Sequence, residues 1–132
     1  MKNQLPNTLL VVVCLFLAIS CSKKSADPVP SLVGSWQQIS SSEINCTDPM
    51  NDDSSICTTD CATYVFTATS VSITIPGAGA FSLTYTTSGN SITTNDGSST
   101  DTGTFSIVGN VLTLSFPDDS NGCTDTITAT RL

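Results

Sequence analysis

The segment from Cys46 to Cys61 (CTDPMNDDSSICTTDC) holds three cysteines and four aspartates in sixteen residues. Thiolates can bind zinc, exchange electrons as a dithiol, or form a structural disulfide in an oxidising compartment. A zinc site needs paired Cys-x2-Cys or Cys/His spacing, and the chain contains no histidine. Cys57 and Cys61 are separated by three residues, so the redox Cys-x2-Cys motif is absent as well. The pattern therefore favours disulfides.

The N-terminus indicates the compartment. An apolar run covers residues 9–19 after Lys2, and it is shorter than the about 20 residues that span a bilayer, so residues 1–20 are predicted to be a cleaved signal peptide. The residues Leu17-Ala18-Ile19-Ser20-Cys21 resemble the lipobox of bacterial lipoproteins, with Ala18 where that motif more usually has Leu. The resemblance implies cleavage before Cys21, lipidation of its sulfur and acylation of its amine. Several acyl chains, such as palmitate, hold a protein on a membrane more stably than one.

Residues 21–31 contain Lys23, Lys24 and two prolines without apolar periodicity, which predicts a flexible tether. Residues 32–132 are then one small domain. The lipoprotein resemblance implies the bacterial cell envelope, with the outer membrane as the expected anchor. Some Gram-negative lipoproteins carry an acidic pair behind the lipidated cysteine as a surface-export signal. Its absence here favours the periplasmic face over the cell surface.

Four cysteines remain in the domain once Cys14 has left with the signal and Cys21 carries lipid. An even number in an exported domain predicts two disulfides. The four are Cys46, Cys57, Cys61 and Cys123.

The domain is predicted to be all-β, because no stretch has an apolar period of 3.6 and several alternate strictly. Val71, Ile73 and Ile75, for example, share one face while Ser and Thr occupy the other. Eight strands are predicted, at 33–44, 61–67, 70–76, 80–87, 90–94, 102–107, 111–116 and 123–131. Tight turns alternate with longer connections, so an up-and-down meander places the long loops at one end.

An eight-stranded meander exposes two edges unless it closes into a barrel; a β-sandwich is the alternative. Gly34-Ser35-Trp36 after Leu32 and Val33 resembles the G-x-W signature of the lipocalin superfamily, and the domain is similar to small lipocalin-like lipoproteins of Gram-negative bacteria. The resemblance implies that Trp36 plugs the closed end and that Arg131 lies across it. Such stacking is worth about 0.5–2 kcal/mol.

The meander places all four cysteines at the loop-bearing end. Two pairings remain open: Cys46 with Cys61 plus Cys57 with Cys123, or Cys46 with Cys123 plus Cys57 with Cys61. We favour the first, in which the long first loop is closed at its neck. The segment 46–61 is then predicted to be a stapled lid.

Acidic residues also gather at this end. Without the signal peptide, eleven acidic residues face three basic ones, and a negative rim attracts cations and repels nucleic acid. Turn chemistry and solubility account for many of these aspartates. Calcium is the alternative, with oxygen ligands from Asp48, Asp52 and Asp53; no other metal or cofactor is expected.

The predicted inward residues, among them Phe81, Leu83 and Phe116, are bulky, which favours a filled barrel with at most a shallow cup. Tyr64 and Tyr85 are candidate polar contacts to a ligand, or core tyrosines. No catalytic constellation is recognisable, so we expect a non-catalytic module that binds a small apolar or amphipathic ligand. The alternative is an interaction protein whose acidic rim docks a cationic protein, as periplasmic lysozyme-inhibitor lipoproteins do, although their inhibitory loop motif is not visible.

Overall fold

The computed structural model describes residues 30–132. The predicted signal peptide (1–20), the lipidation site at Cys21 and the tether as far as residue 29 lie outside the described residues.

Residues 30–132 form nine strands and one 3-10 turn (Pro49–Asn51). The strands are β1 (Gly34–Ile44), β2 (Asp53–Ile56), β3 (Thr63–Phe66), β4 (Ser70–Ile75), β5 (Gly79–Ser88), β6 (Ser91–Asn95), β7 (Thr100–Val108), β8 (Val111–Asp118) and β9 (Cys123–Arg131). Within this part of the chain no helix is long and apolar enough to cross a membrane.

The sheet closes on itself. All neighbours pair antiparallel in the order β2-β1-β3-β4-β5-β6-β7-β8-β9, and β1 also pairs with β9. That pairing runs from Trp36 opposite Arg131 to Ile44 opposite Thr124. Strands β1 and β3–β9 therefore form an eight-stranded barrel, as predicted, and the sandwich alternative is wrong.

The eight predicted strands correspond to β1 and β3–β9, because alternation and turn chemistry are both visible locally. In β4, for example, Val71 is 2% exposed and faces the core. Between β7 and β8, Gly109 adopts φ 59°, a conformation that glycine adopts without steric cost.

Strand β2 was not predicted, since 45–60 was expected to be a loop. Its four residues are all exposed, so the sequence shows no buried face. β2 pairs with β1 from Glu43 opposite Asp53 to Ser40 opposite Ile56. The N–H of Cys57 donates to the carbonyl of Ile39, and that of Gln38 donates to the carbonyl of Ala62. β2 and β3 thus behave as one strand along β1, interrupted by an excursion at 58–61.

The register of β1 against β9 shifts between Gln38 and Ser40. Such a bulge adds one residue to one strand and exchanges which residues face inward. Gln38 lies opposite the fully buried Ala129, whereas beyond the bulge Ser41 lies opposite Ile127. In the half of β1 nearer the loop-bearing end, Ser41 and Glu43, rather than Ser40 and Ser42, therefore face the interior.

Buried side chains fill the end of the barrel where β1 begins and β9 ends. Trp36 and Leu112 are fully buried there. The indole N–H of Trp36 donates to the carbonyl of Leu32 over 2.8 Å, so its one polar group is satisfied. This is the closed end.

Candidate functional site

A cavity of about 690 Å³ opens at the other, loop-bearing end of the barrel. Pockets for small molecules in proteins typically measure about 300–1,000 Å³. Apolar side chains from β3, β4, β5, β6, β8 and β9 line it, among them Tyr64, Ile73, Leu83, Ile92, Leu114 and Ile127. The expectation of a filled barrel with at most a shallow cup was therefore wrong.

Two positions explain why the interior is not filled near the mouth. Phe81 was predicted to be a core residue but is 49% exposed, because it lines the open part of the cavity. Phe116 lies against Gly103, where a Cβ atom would meet the Phe116 ring and the backbone carbonyl of Ser115. The missing side chain at Gly103 allows the ring to lie close to the wall. Summing the bulk of inward residues could not reveal this arrangement.

The mouth of the cavity is acidic. Its lining includes Asp101 at the start of β7, Asp118 at the end of β8, Asp119 in the β8–β9 turn and Asp125 on β9. Among residues 30–132 the one basic side chain is Arg131, which lies at the closed end. The mouth carboxylates therefore have no cationic partner within the described part of the chain.

Asp118 is held in a defined position at the mouth. One of its carboxylate oxygens accepts hydrogen bonds from the backbone N–H of Ser120 over 2.8 Å and from its hydroxyl over 2.6 Å. These bonds favour the ionised form and lower the pKa of Asp118. The mouth thus keeps this negative charge at neutral pH.

The four domain cysteines form two disulfides, Cys46–Cys123 and Cys57–Cys61. The pairing favoured from the sequence, Cys46 with Cys61 and Cys57 with Cys123, was wrong. The reason is register: Ile44 lies opposite Thr124, which brings Cys46 directly beside Cys123. Cys57 instead follows β2, and its N–H donates to the carbonyl of Ile39 in the middle of β1. Its bridge to Cys61 therefore closes the excursion between β2 and β3, away from the loop-bearing end at which all four cysteines were predicted.

The segment 46–61 is not a lid over the cavity, contrary to the prediction. None of its residues lines the cavity. The backbone N–H of Thr47 donates to the carbonyl of Asn121 over 3.0 Å, and the Asn121 amide donates to Glu43. The segment is a hairpin extension of the barrel wall, held against the β8–β9 turn.

The two tyrosines occupy different positions. Tyr64 lines the cavity, and its hydroxyl donates to Oε1 of Gln38 over 3.2 Å. The hydroxyl of Tyr85 donates to the carbonyl of Thr67, and its ring packs edge-on against Phe66. Burial raises the pKa of both hydroxyls. Of the two, Tyr64 alone lines the cavity, and Tyr85 is a core residue.

The three aspartates proposed as calcium ligands do not converge on one point. Asp48 accepts a hydrogen bond from the N–H of Met50, and Asp52 accepts one from the N–H of Cys46. In the described residues, one group of three potential ligands lies within 4.8 Å, namely Glu43, Cys46 and Cys123. Both of these cysteines are committed to their disulfide, so this group offers one carboxylate and no thiolate.

A second groove, smaller in volume than the cavity, lies beside the mouth, where β2, β1 and β9 run side by side. Glu43 is the cross-strand partner of both Asp53 and Asp125, and all three line this groove of about 300 Å³. Cross-strand partners lie on the same face of a sheet. We call Glu43, Asp53 and Asp125 the acidic groove; the sequence did not reveal it because β2 and the bulge in β1 create it.

The closed end brings Gly34, Trp36 and Arg131 together. The Arg131 guanidinium lies 4.1 Å from the Trp36 ring centroid. It donates to the carbonyl of Val33 over 3.1 Å and to that of Ser31 over 2.7 Å. A Cβ atom on Gly34, which has φ 137°, would lie 2.6 Å from Nη1 of Arg131. Glycine at this position is therefore what allows the arginine to reach across.

No curated protein matches this sequence. The sequence does match the profile of the lipocalin-like domain family over residues 32–132. This match covers every strand of the closed barrel and most of the chain, so the protein belongs to the lipocalin-like domain family.

Proposed function

We propose that this protein is a non-catalytic binding module for a small apolar or amphipathic molecule, anchored in the bacterial cell envelope through acylated Cys21. The open, apolar cavity of about 690 Å³ is the observation that supports this role. A packed barrel would have no room for a ligand. In this barrel, apolar side chains from six strands line an accessible cavity.

The expected anchor is the outer membrane, with the periplasmic face preferred. The lipobox-like residues before Cys21 support lipidation. The position of residues 31–33 is compatible with a membrane anchor at Cys21, since the backbone carbonyls of Ser31 and Val33 accept hydrogen bonds from Arg131 at the closed end. A tether that joins the barrel there leaves the opposite, open end unobstructed.

A neutral dye that fluoresces in apolar surroundings tests the binding role, with the full chain held in nanodiscs and empty nanodiscs as the blank. Leu83→Trp places a larger side chain in the cavity and should weaken dye binding about tenfold or more. Ser82→Trp is the matched control, because Ser82 is the neighbouring exposed residue on β5. Equal binding by both variants, or no binding by the unaltered chain, would contradict the proposal.

A second candidate function is docking of a cationic protein through the acidic groove. The side-by-side placement of Glu43, Asp53 and Asp125 favours it. Binding to lysozyme should then survive salt near 0.3 M, at which the Debye length is below about 8 Å, and should be lost in Glu43→Gln/Asp53→Asn. Complete loss at that salt concentration in the unaltered chain would indicate nonspecific attraction of charges.

A further inference from the structure

We infer that the cavity selects cationic amphiphiles: molecules with an apolar body that fills the lumen and a positively charged amine or ammonium head that lies among the mouth carboxylates. This inference rests on the proposed binding function and assigns the chemical class of the ligand.

The cavity changes in character with depth. Its inner part is surrounded by buried apolar side chains such as Phe66, Val71, Ile92 and Leu114. The same cavity is bordered at its opening by Asp101, Asp118, Asp119 and Asp125. A ligand that matches both parts must be apolar along its body and polar at one end, because burying an unpaired polar group costs free energy.

The sign of the charge at the mouth determines which polar end is preferred. Three of the four carboxylates lie on three different strands, at the start of β7, at the end of β8 and on β9, and the fourth, Asp119, lies in the β8–β9 turn. Arg131, the basic residue of the described part, is at the closed end and pairs with carbonyl oxygens and the Trp36 ring. A cationic head would therefore meet negative charges that no side chain of residues 30–132 neutralises.

An anionic amphiphile of the same length would meet the opposite situation. Its carboxylate or sulfate would lie among four like charges, which repel it. Clefts lined by one sign of charge also concentrate ions of the other sign and exclude their own. Fatty acids should therefore be poor ligands of this cavity despite its apolar lining.

A bare metal ion does not fit the same residues. Within residues 30–132 the one cluster of three possible ligand groups within 4.8 Å does not include Asp101, Asp118, Asp119 or Asp125. Carboxylates spread around an opening suit a diffuse ammonium head, whereas a divalent ion needs oxygens that converge at about 2.0–2.6 Å.

The test compares three octyl compounds that differ only in the head group: octyltrimethylammonium, octanoate and octanol. Each competes with the neutral dye for the full chain in zwitterionic nanodiscs, with empty nanodiscs as the blank. At about 20 mM salt, where the Debye length exceeds 20 Å, we expect the cation to displace the dye at about tenfold lower concentration than octanoate. At about 300 mM salt the ratio should fall towards about threefold, since exposed charges are then screened.

Matched variants locate the effect. Asp101→Asn/Asp125→Asn removes two charges from the mouth. At low salt, the concentration of octanoate that displaces the dye should then exceed that of octyltrimethylammonium by about threefold or less. Asp60→Asn/Asp96→Asn removes two charges from exposed loops that do not line the cavity, and its ratio should equal that of the unaltered chain. Asp60→Asn/Asp96→Asn should bind the neutral dye as the unaltered chain does, and displacement by each octyl compound is measured for every variant relative to its own dye binding.

The outcomes separate the inference from the function on which it rests. Dye binding with equal displacement by the three octyl compounds, or with preference for octanoate, overturns the inference and leaves the binding function standing. An equal fall in the ratio for both variants also overturns it, since only the net charge would then matter. Failure of the dye to bind would contradict both the inference and the proposed binding function.

Discussion

Cys46 and Cys123 are joined by a disulfide at the seam of the barrel, with their Cα atoms 3.9 Å apart and a separation of 77 positions in sequence. Cys123 begins β9 and Cys46 lies just beyond β1, so the bridge fastens the strand pair that closes the barrel. It also ties the β1–β2 hairpin to the β8–β9 turn, which contains Asp119 of the cavity mouth.

Removing this bridge should destabilise the domain more than removing the other one. Loop-closure entropy grows with the enclosed length, so Cys46→Ser/Cys123→Ser should lower the free energy of unfolding by about 3–4 kcal/mol. The Cys57–Cys61 bridge closes a much shorter loop, with a sequence separation of 4. Cys57→Ser/Cys61→Ser should therefore lower the free energy of unfolding by about 2 kcal/mol or less. Urea denaturation of both variants measures the difference, and an equal or reversed order would contradict the assigned pairing.

Arg131→Ala should destabilise the closed end by about 1–2 kcal/mol, because it removes the contact with the Trp36 ring together with two hydrogen bonds to backbone carbonyls. Arg131→Lys keeps the charge but not the planar fork, so it should recover less than half of the loss. Denaturation followed by Trp36 fluorescence provides the measurement. Full recovery by lysine would show that charge alone stabilises this end.

Ser120→Ala should raise the pKa of Asp118, since the Ser120 hydroxyl makes the largest contribution to lowering it. In the unaltered chain the pKa of Asp118 is lower in the folded than in the unfolded state. The ionised carboxylate therefore stabilises the fold above the unfolded-state pKa, and this stabilisation is lost as the pH falls through the folded-state pKa. NMR titration of the Asp118 carboxyl group measures the shift. Asp96, whose pKa is lowered by backbone bonds from Ser99 and Ser98, is the internal control and should titrate unchanged.

Cys21→Ser should abolish membrane anchoring if the cysteine carries lipid, because acyl chains supply the affinity for the bilayer. Labelling with a radioactive fatty acid and cell fractionation measure it. Cys14→Ser, which changes the other cysteine of the N-terminal segment, is the control and should be acylated normally. Acylation that persists in Cys21→Ser would contradict the lipoprotein proposal.

Much of the barrel was predictable because its signals are local. Alternation in segments such as 70–76 and turn chemistry at Gly109-Asn110 identified the strands that correspond to β1 and β3–β9. β2 escaped detection because a strand with four exposed residues has no apolar face, and nothing in its composition distinguishes it from a loop.

The amino-acid sequence by itself determined the class of fold, the expected number of barrel strands and the gathering of acidic residues at one end, since these follow from periodicity and order along the chain. Only the tertiary structure decided which cysteines pair, which half of β1 turns Ser41 and Glu43 inward, and how much space the barrel leaves. Those features depend on register and packing between strands distant in sequence. A one-residue bulge at Ile39 or a missing Cβ at Gly103 changes them without altering any local pattern.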